Sequence, residues 1–454
     1  MEEKQKSLPR TLGFTTALMT ILGIVIGSGI FFKPYAIFKA TGGAPGLGMI
    51  AWIVAGILTM AGALTVSEIA TIVPETGGMV TYVTKVYGKK LGFLAGWTDS
   101  LLYQVGLVAA SAVIFGVQAT YLLGFSEDMK WMKLTISIAA ILFVAFMNTL
   151  SAKLSGYFQT IITLGKFVPI LVIMIVSFSK GTGHSIASPI IAPDIQPFNA
   201  FSIALLACLF AFDGWMGVGQ IAGEMKEPGK DLPKALIMGI SIASMVFILM
   251  NIAYMWVLPA NELMLTETPA TQVAMKIFGN SGGKIVAMGI LVVVYGTLNG
   301  YVFTGARSTY TLAKTNCIPM AKHLQKVNKS GVPANAIWYV SVVACIYCLT
   351  GKYDMLTDIA IFVAWIFNTL TFIGVLILRR KEPDLKRVYR VPLYPFIPML
   401  AIVGGSYVVI STLLAQPSNA LIGLAVLLLG LPVYAIYTKK NQLLASQSLQ
   451  KIKH

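Results

Sequence analysis

Charge is scarce in this sequence. Its 454 residues include 18 acidic and 34 basic side chains, or 11% charged, against about 25% in a typical soluble domain. With 56% hydrophobic residues and a mean hydropathy of +0.78, that scarcity excludes an ordinary soluble enzyme. Long polar stretches are missing too, and no loop is long enough to fold by itself, which argues against an appended soluble catalytic domain. The ten-residue alternation of a transmembrane β-barrel is absent. No GxxxxGK[ST] phosphate loop occurs, so the chain is not expected to be an ATP-driven pump in its own right. Cysteines number four. Cys208, Cys317, Cys345 and Cys348 lie in or beside apolar runs, without the His or carboxylate neighbours a metal site needs; Cys345 and Cys348, one helical turn apart, read as small packing residues. The three histidines, His184, His323 and His454, fall in loops or the tail, so no histidine proton relay is expected within the apolar runs. Neither a cofactor nor a metal is expected.

What the sequence does have is long apolar runs. Hydropathy predicts twelve spans, at 12–40, 45–72, 91–123, 132–149, 156–178, 199–224, 232–259, 283–313, 334–350, 355–378, 393–415 and 418–437. Many exceed the roughly 20 residues that cross a bilayer, so the expected fold class is an all-α integral membrane protein. The opening "MEEKQKSLPRTLGF" precedes a run too long for a signal-peptide core, and no cleaved leader is expected. The net charge of +16 has a topological meaning. Sorting Lys and Arg by alternate loops puts 25 on one side, Lys4, Lys6 and Lys453 among them, and 7 on the other: Lys39, Lys130, Lys133, Lys180, Lys276, Lys284 and Lys352. That asymmetry places both termini in the cytoplasm of a cell-membrane protein. The basic excess faces anionic lipid headgroups and is not a nucleic-acid footprint.

Two spans carry polar interruptions. "ILGIVIGSGIFFKP" (21–34) sets Gly23, Gly27, Ser28 and Gly29 into the first, and "LFAFDGWMGVG" (209–219) sets Asp213-Gly214 into the sixth. Glycine is a poor helix former; Gly23 and Gly27 alone would fit a GxxxG packing contact. An acidic residue at membrane depth, however, is a functional signal by default. The interruptions lie five spans apart, so a five-helix repeat must be inserted upside down, and corresponding broken helices in inverted halves point to a transporter's central site. Beyond the first break, a half-helix starting near Ser28 and Gly29 offers unpaired N–H groups and a positive dipole end to a carboxylate. Glycine at 27 and 29 is expected to let a ligand approach the backbone. The carbonyls of Ile24, Val25 and Ile26, with those of Phe210, Ala211 and Asp213, suit an ammonium group. Both ends together describe an α-amino acid, with Phe210, Phe212 and Met216 as walls around its side chain.

These stretches, with "SEIATIVPETGGMVTYV", "FAFDGWMGVGQIAGEMKEPGKDLPKAL", "RSTYTLAKTNCIPMAKHLQKVNKSGVPANAI" and "RVYRVPLYPFIPML", resemble the amino acid–polyamine–organocation superfamily. The L-amino-acid-transporter branch and its bacterial serine/threonine-exchanger-type members match from end to end. The resemblance implies a five-plus-five inverted repeat, a LeuT-type fold of twelve helices with the first and sixth discontinuous. The first repeat is 12–178, the second 199–378, and 393–437 holds two extra helices. It implies alternating access around a midplane site with Gly27, Ser28 and Gly29 as the carboxylate motif. Val25, Ile26, Phe210 and Asp213 then lie near the amino group, and Tyr254 near the substrate. Phe210 matches the aromatic that closes over substrate; Phe212 and Arg307 are further gate candidates, Arg307 serving an inner gate or a structural ion pair. Lys166 matches a lysine associated with sodium-independent transport. It reads either as a substitute for a bound sodium ion or as a structural partner of broken-helix carbonyls, with proton coupling a variant. Glu68, Asp99 and Glu224 are expected in structural or gate salt bridges. The loop "GFSEDMKWMKL" lacks the cysteine that links a glycoprotein heavy subunit in eukaryotic members, so the chain is expected to work alone as a monomer. The expected function is sodium-independent exchange of small neutral L-amino acids; the alternative is proton-coupled symport of broader or cationic specificity.

Overall fold

The computed structural model describes residues 10–126 and 129–452. Lys4, Lys6, Lys453 and His454 of the charge and histidine arguments lie outside them, as do Glu127 and Asp128 of the cysteine-free loop. Every regular element among the described residues is helical, apart from a single bridge between Leu12 and Met225.

The first apolar run forms two helices, α1 (Phe14–Val25) and α2 (Gly29–Ala40). After α3 (Pro45–Ile72) come α4 (Met79–Tyr87) and α5 (Lys89–Thr98), the latter continuing through a π turn at Asp99–Tyr103 into α6 (Gln104–Leu122). Then follow α7 (Lys130–Leu150), α8 (Ala152–Lys180), α9 (Pro197–Ala211), the single-turn α10 (Gly217–Gln220) and α11 (Pro228–Val257). The second half continues with α12 (Ala260–Leu263), α13 (Pro269–Phe278), α14 (Asn280–Lys314), α15 (Ala321–Leu324) and α16 (Ala334–Cys348). It ends with α17 (Tyr353–Lys381), α18 (Phe396–Ala415) and α19 (Pro417–Ile452). Proline opens α3, α9, α11, α13 and α19, where its missing N–H breaks no helical hydrogen bond.

Among the described residues, ten candidate spans are long and apolar enough to cross a membrane. The other two expected spans, 199–224 and 334–350, appear as apolar helices of 15 residues each, α9 and α16, which end at Ala211 and Cys348. Burial sorts the bundle into an inside and an outside. In the most apolar window of Phe14–Ala40, 78% of residues are buried, against 17% in Pro417–Leu443. α1, α2, α6, α14 and α17 therefore form the interior, while α7, α8 and α19 turn side chains such as Phe143, Leu164 and Leu421 outward, as lipid contact requires.

Ion pairs tie the ends of the helices. Glu68, at the end of α3, accepts from Arg379 Nε at 2.8 Å and Nη2 at 2.5 Å and from the Val391 amide at 2.8 Å, and lies 3.2 Å from Arg387 Nε as an ion pair, clamping α17 and the following loop. Glu224 accepts from Arg307 Nε at 2.8 Å and Nη2 at 3.2 Å, with both side chains fully buried. Asp99 differs from expectation. Its carboxylate accepts from Gln220 Nε2 at 3.3 Å, and no Lys or Arg among the described residues forms an ion pair with it. The side chains that reach it, from α10 in particular, are neutral amides.

The two interruptions are in contact. A Cβ at Gly29 would meet Ala211 Cα and Cβ at 2.7 Å, and one at Gly214 would meet Ile24 Cγ2 at 2.1 Å. Gly214 also has φ +97°, a left-handed conformation that favours glycine. Gly214→Ala is therefore expected to destabilise the protein by about 3 kcal/mol, combining backbone strain with overpacking. Thermal unfolding of the purified protein in detergent checks this; an unchanged melting temperature contradicts it.

Candidate functional site

α1 stops because Ile26 turns to φ −80°, ψ 80°, and the chain resumes as α2 one short turn later. Across this gap Gly27 N–H donates to Val25 O at 2.9 Å, while Phe31 and Phe32 N–H both turn back to Ser28 O. The amides of Ser28, Gly29 and Ile30 have no acceptor among the described residues, so α2 presents unpaired donors and the positive end of its dipole. Opposite, α9 ends at Ala211 and the backbone folds through Phe212–Met216 before α10.

Between these ends lies a cavity. It is lined by Ile24, Val25, Gly27, Ser28 and Gly29 from the first interruption and by Phe210, Ala211 and Asp213 from the second. Leu107, Ala110 and Ser111 of α6, Thr297 and Tyr301 of α14, and Tyr353 of α17 complete the wall. Its free volume is ≈ 10 Å³, room for about one water. A substrate therefore enters only when the walls separate, and the structure is a closed arrangement.

Lys166 of α8 sits behind the first interruption, 1% exposed. Its Nζ donates to Gly23 O, to Ile26 O at 3.2 Å and to Thr297 Oγ1 at 3.0 Å. Three oxygen acceptors match the three protons of an ammonium, and they lie at the negative end of α1, where a cation is favoured. The Thr297 hydroxyl passes its own proton to Val293 O at 3.2 Å or Gly23 O at 3.4 Å. A neutral network runs on: Gln159 Nε2 to Gly296 O at 3.3 Å, Asn299 Nδ2 to Gln159 Oε1 at 2.6 Å, and Asn148 Nδ2 to Asn299 Oδ1 at 2.7 Å. Asn299 thus joins α7 and α8, separate from the Arg307 pair with which it shares a helix.

Asp213 is 5% exposed, and its carboxylate accepts from Tyr103 at 2.7 Å and Tyr301 at 3.2 Å. On the other flank Ser28 Oγ lies 3.0 Å from the Tyr353 hydroxyl, and the Phe210 and Tyr353 rings meet edge-on at 5.9 Å between centroids.

The structure gathers Val25, Gly27, Ser28, Gly29, Phe210, Ala211 and Asp213 at one cavity. Ile26 turns its carbonyl to Lys166 instead. Phe212 packs on Trp52 and Phe247, with centroids 6.1 Å and 4.8 Å away, and Tyr254 is buried in α11 without lining the cavity. A Cβ at Gly27 would meet Thr297 Oγ1 at 2.8 Å, and one at Gly29 would meet Ala211, so contact between neighbouring segments also requires small residues at these two cavity positions.

Sequence reasoning missed Ser111, Thr297, Tyr301 and Tyr353. A signal existed for α14: Thr297, Tyr301, Thr304 and Ser308 recur at helical spacing, a polar stripe inside an apolar run. None existed for Tyr353, which sits at a span's edge.

No cluster of metal-binding side chains occurs among the described residues. A bundle of long apolar helices closing around a small polar cavity is the layout of a membrane carrier for small solutes. The sequence profile of the amino acid permease family matches residues 12–435, and the chain belongs to that family. It is 37% identical to the serine/threonine exchanger SteT of Bacillus subtilis (strain 168), over 96% of this chain and 98% of that one. It is 29% identical to the b(0,+)-type amino acid transporter 1 of Homo sapiens over 92% of this chain and 85% of that one. Against the human cystine/glutamate transporter the identity is 27%, over 96% and 86% of the two chains. The protein is a multi-pass membrane amino acid transporter, and its relatives are transporters rather than enzymes.

Replacing Lys166 leaves the buried Ile26 carbonyl without a donor among the described residues and Gly23 O with only the Thr297 hydroxyl at 3.4 Å, a loss of about 3 kcal/mol. Lys166→Ala is expected to insert in the membrane yet lose most transport in proteoliposomes; wild-type flux would remove Lys166 from the mechanism.

Proposed function

We propose that the protein exchanges small neutral L-amino acids, the alanine, serine, threonine and cysteine class, without sodium and by alternating access. The observation that carries this reading is the meeting of opposite helix ends at one cavity. The Ser28–Ile30 amides and the α2 dipole attract a carboxylate. A few ångströms of chain away, the Ile24 carbonyl at the end of α1, which accepts no backbone bond among the described residues, and the carbonyls ending α9 accept from an ammonium. Gly27, Ser28 and Gly29 hold the acid end; Val25, Ile26, Phe210, Ala211 and Asp213 surround the amine, with Tyr254 a more distant contributor. Phe210, Phe212 and Arg307 act as gate residues.

This reading includes an architecture. Twelve spans, α9 and α16 among them, form inverted repeats at 12–178 and 199–378, with 393–437 added and both termini cytoplasmic. The first and sixth spans are interrupted, which fits breaks that lie five spans apart and touch through Gly29–Ala211 and Gly214–Ile24. Sodium independence is supported by the three oxygens around Lys166 Nζ: a fixed cation occupies a cage of the kind a small monovalent ion requires. Exchange is supported by the similarity to the serine/threonine exchanger of Bacillus subtilis. The chain works as a monomer with amino acids as its only ligands.

One observation favours a second reading, proton-coupled symport with broader or cationic specificity. Asp213 places a carboxylate on the cavity wall, and its side-chain partners among the described residues are tyrosine hydroxyls; a buried carboxylate without a cationic partner favours a positively charged ligand.

Reconstituted liposomes separate the two. Exchange predicts that uptake of labelled serine requires internal amino acid, persists when choline replaces sodium, and ignores an imposed pH gradient. In a competition panel of the twenty amino acids, the small neutral ones should compete best. Uptake into empty vesicles driven by an inward proton gradient would overturn exchange in favour of symport.

A further inference from the structure

We propose that Tyr353 is a ligand for the substrate's carboxylate and that, with Lys33 and Asp354, it forms a latch over the outer mouth of the cavity; this rests on the amino acid reading above. Ser28 precedes α2 but its hydroxyl makes no capping bond there. It is tied instead to the Tyr353 hydroxyl, 3.0 Å away at the first residue of α17. Both hydroxyls therefore stand beside the unpaired amides to which a carboxylate would come, and in the closed, contracted cavity they satisfy each other.

Lys33 completes the roof. It lies one helical turn beyond Gly29, its side chain 4% exposed. Its Nζ sits 4.6 Å from the Phe210 ring centroid and 5.2 Å from that of Tyr353, and it pairs with Asp354 Oδ1 at 3.1 Å. One ammonium thus joins α2, α9 and α17 through two ring faces and a carboxylate. The Asp354 side chain is 72% exposed, and an ion pair with an exposed member is weak. At the opposite side of the second interruption, Arg307–Glu224 is wholly buried. The roof is the end that opens at smaller cost.

Substrate binding then couples to closure. A carboxylate at the α2 amides offers acceptors to both the Ser28 and Tyr353 hydroxyls, replacing one neutral hydrogen bond by two stronger charge-assisted ones that bridge α2 to α17. Lys33 above adds positive potential over the same group.

The test uses initial uptake by intact cells expressing the full chain, with serine as substrate and serinamide, which lacks the carboxylate, as competitor. Tyr353→Phe keeps the ring that packs on Phe210. It should raise the KM for external serine about tenfold, leave the maximal rate within about twofold, and narrow the preference of serine over serinamide. Lys33→Met and Asp354→Asn should each raise the KM severalfold. The charge-swapped pair Lys33→Asp with Asp354→Lys should transport better than Lys33→Asp alone, and Lys33→Arg should resemble wild type. An unchanged KM and unchanged serinamide discrimination in Tyr353→Phe would overturn the carboxylate assignment. Single charge variants with wild-type kinetics, or a swap no better than Lys33→Asp, would overturn the latch. Failure of the underlying reading looks different, since the wild-type chain would then not take up serine at all.

Discussion

The constraint on which the rest depends is that a helix must end inside the bundle. A helix terminus in an apolar surrounding leaves backbone groups that only protein can satisfy, and at the first interruption most of that work falls to Lys166. Its three bonds close the negative end of α1 and draw α8 and α14 around it. What they leave free is confined to one side of the break, toward the cavity. The cavity wall here is thus the unsatisfied remainder of a largely satisfied helix end.

Much of this was legible in the sequence because the signals were local. Apolar runs gave the long helices almost in place, and Gly-Ser-Gly and Asp-Gly marked where α1 and α9 end. Lys166 stood out as a charge at membrane depth. Partnerships across the fold were not legible. Nothing local says that Tyr353 reaches Ser28, 325 positions away, or that Lys33 pairs with Asp354 rather than with lipid headgroups. A second constraint on the glycines was hidden for the same reason: backbone approach by a ligand and by another helix require the same missing Cβ, and only the fold shows Ala211 and Thr297 in that space. Asp99 was expected among ion pairs because it lies near a helix end, yet the groups that reach it are neutral.

The two sides of the cavity are built from different materials. Toward Lys33 the cover is aromatic faces and one exposed ion pair; toward Arg307 it is a fully buried bidentate pair with further hydrogen-bonded amides at Gln104 and Gln220. Buried pairs resist being broken singly, whereas an exposed pair yields to water. The two covers of the cavity are therefore of unequal strength.

One modest feature has mechanical weight. The Leu12 amide donates to Glu224 O at 2.9 Å and its carbonyl accepts from Lys226 at 2.8 Å, a short stitch of parallel backbone just before α1. Because Glu224 also grips Arg307, the base of α1 is hitched to the base of the second interrupted segment and through it to α14. Tilting α1 must therefore haul these neighbours along or unpick the stitch. Any displacement of α1 is consequently shared, through Leu12, with the Glu224–Arg307 pair on the far side of the cavity.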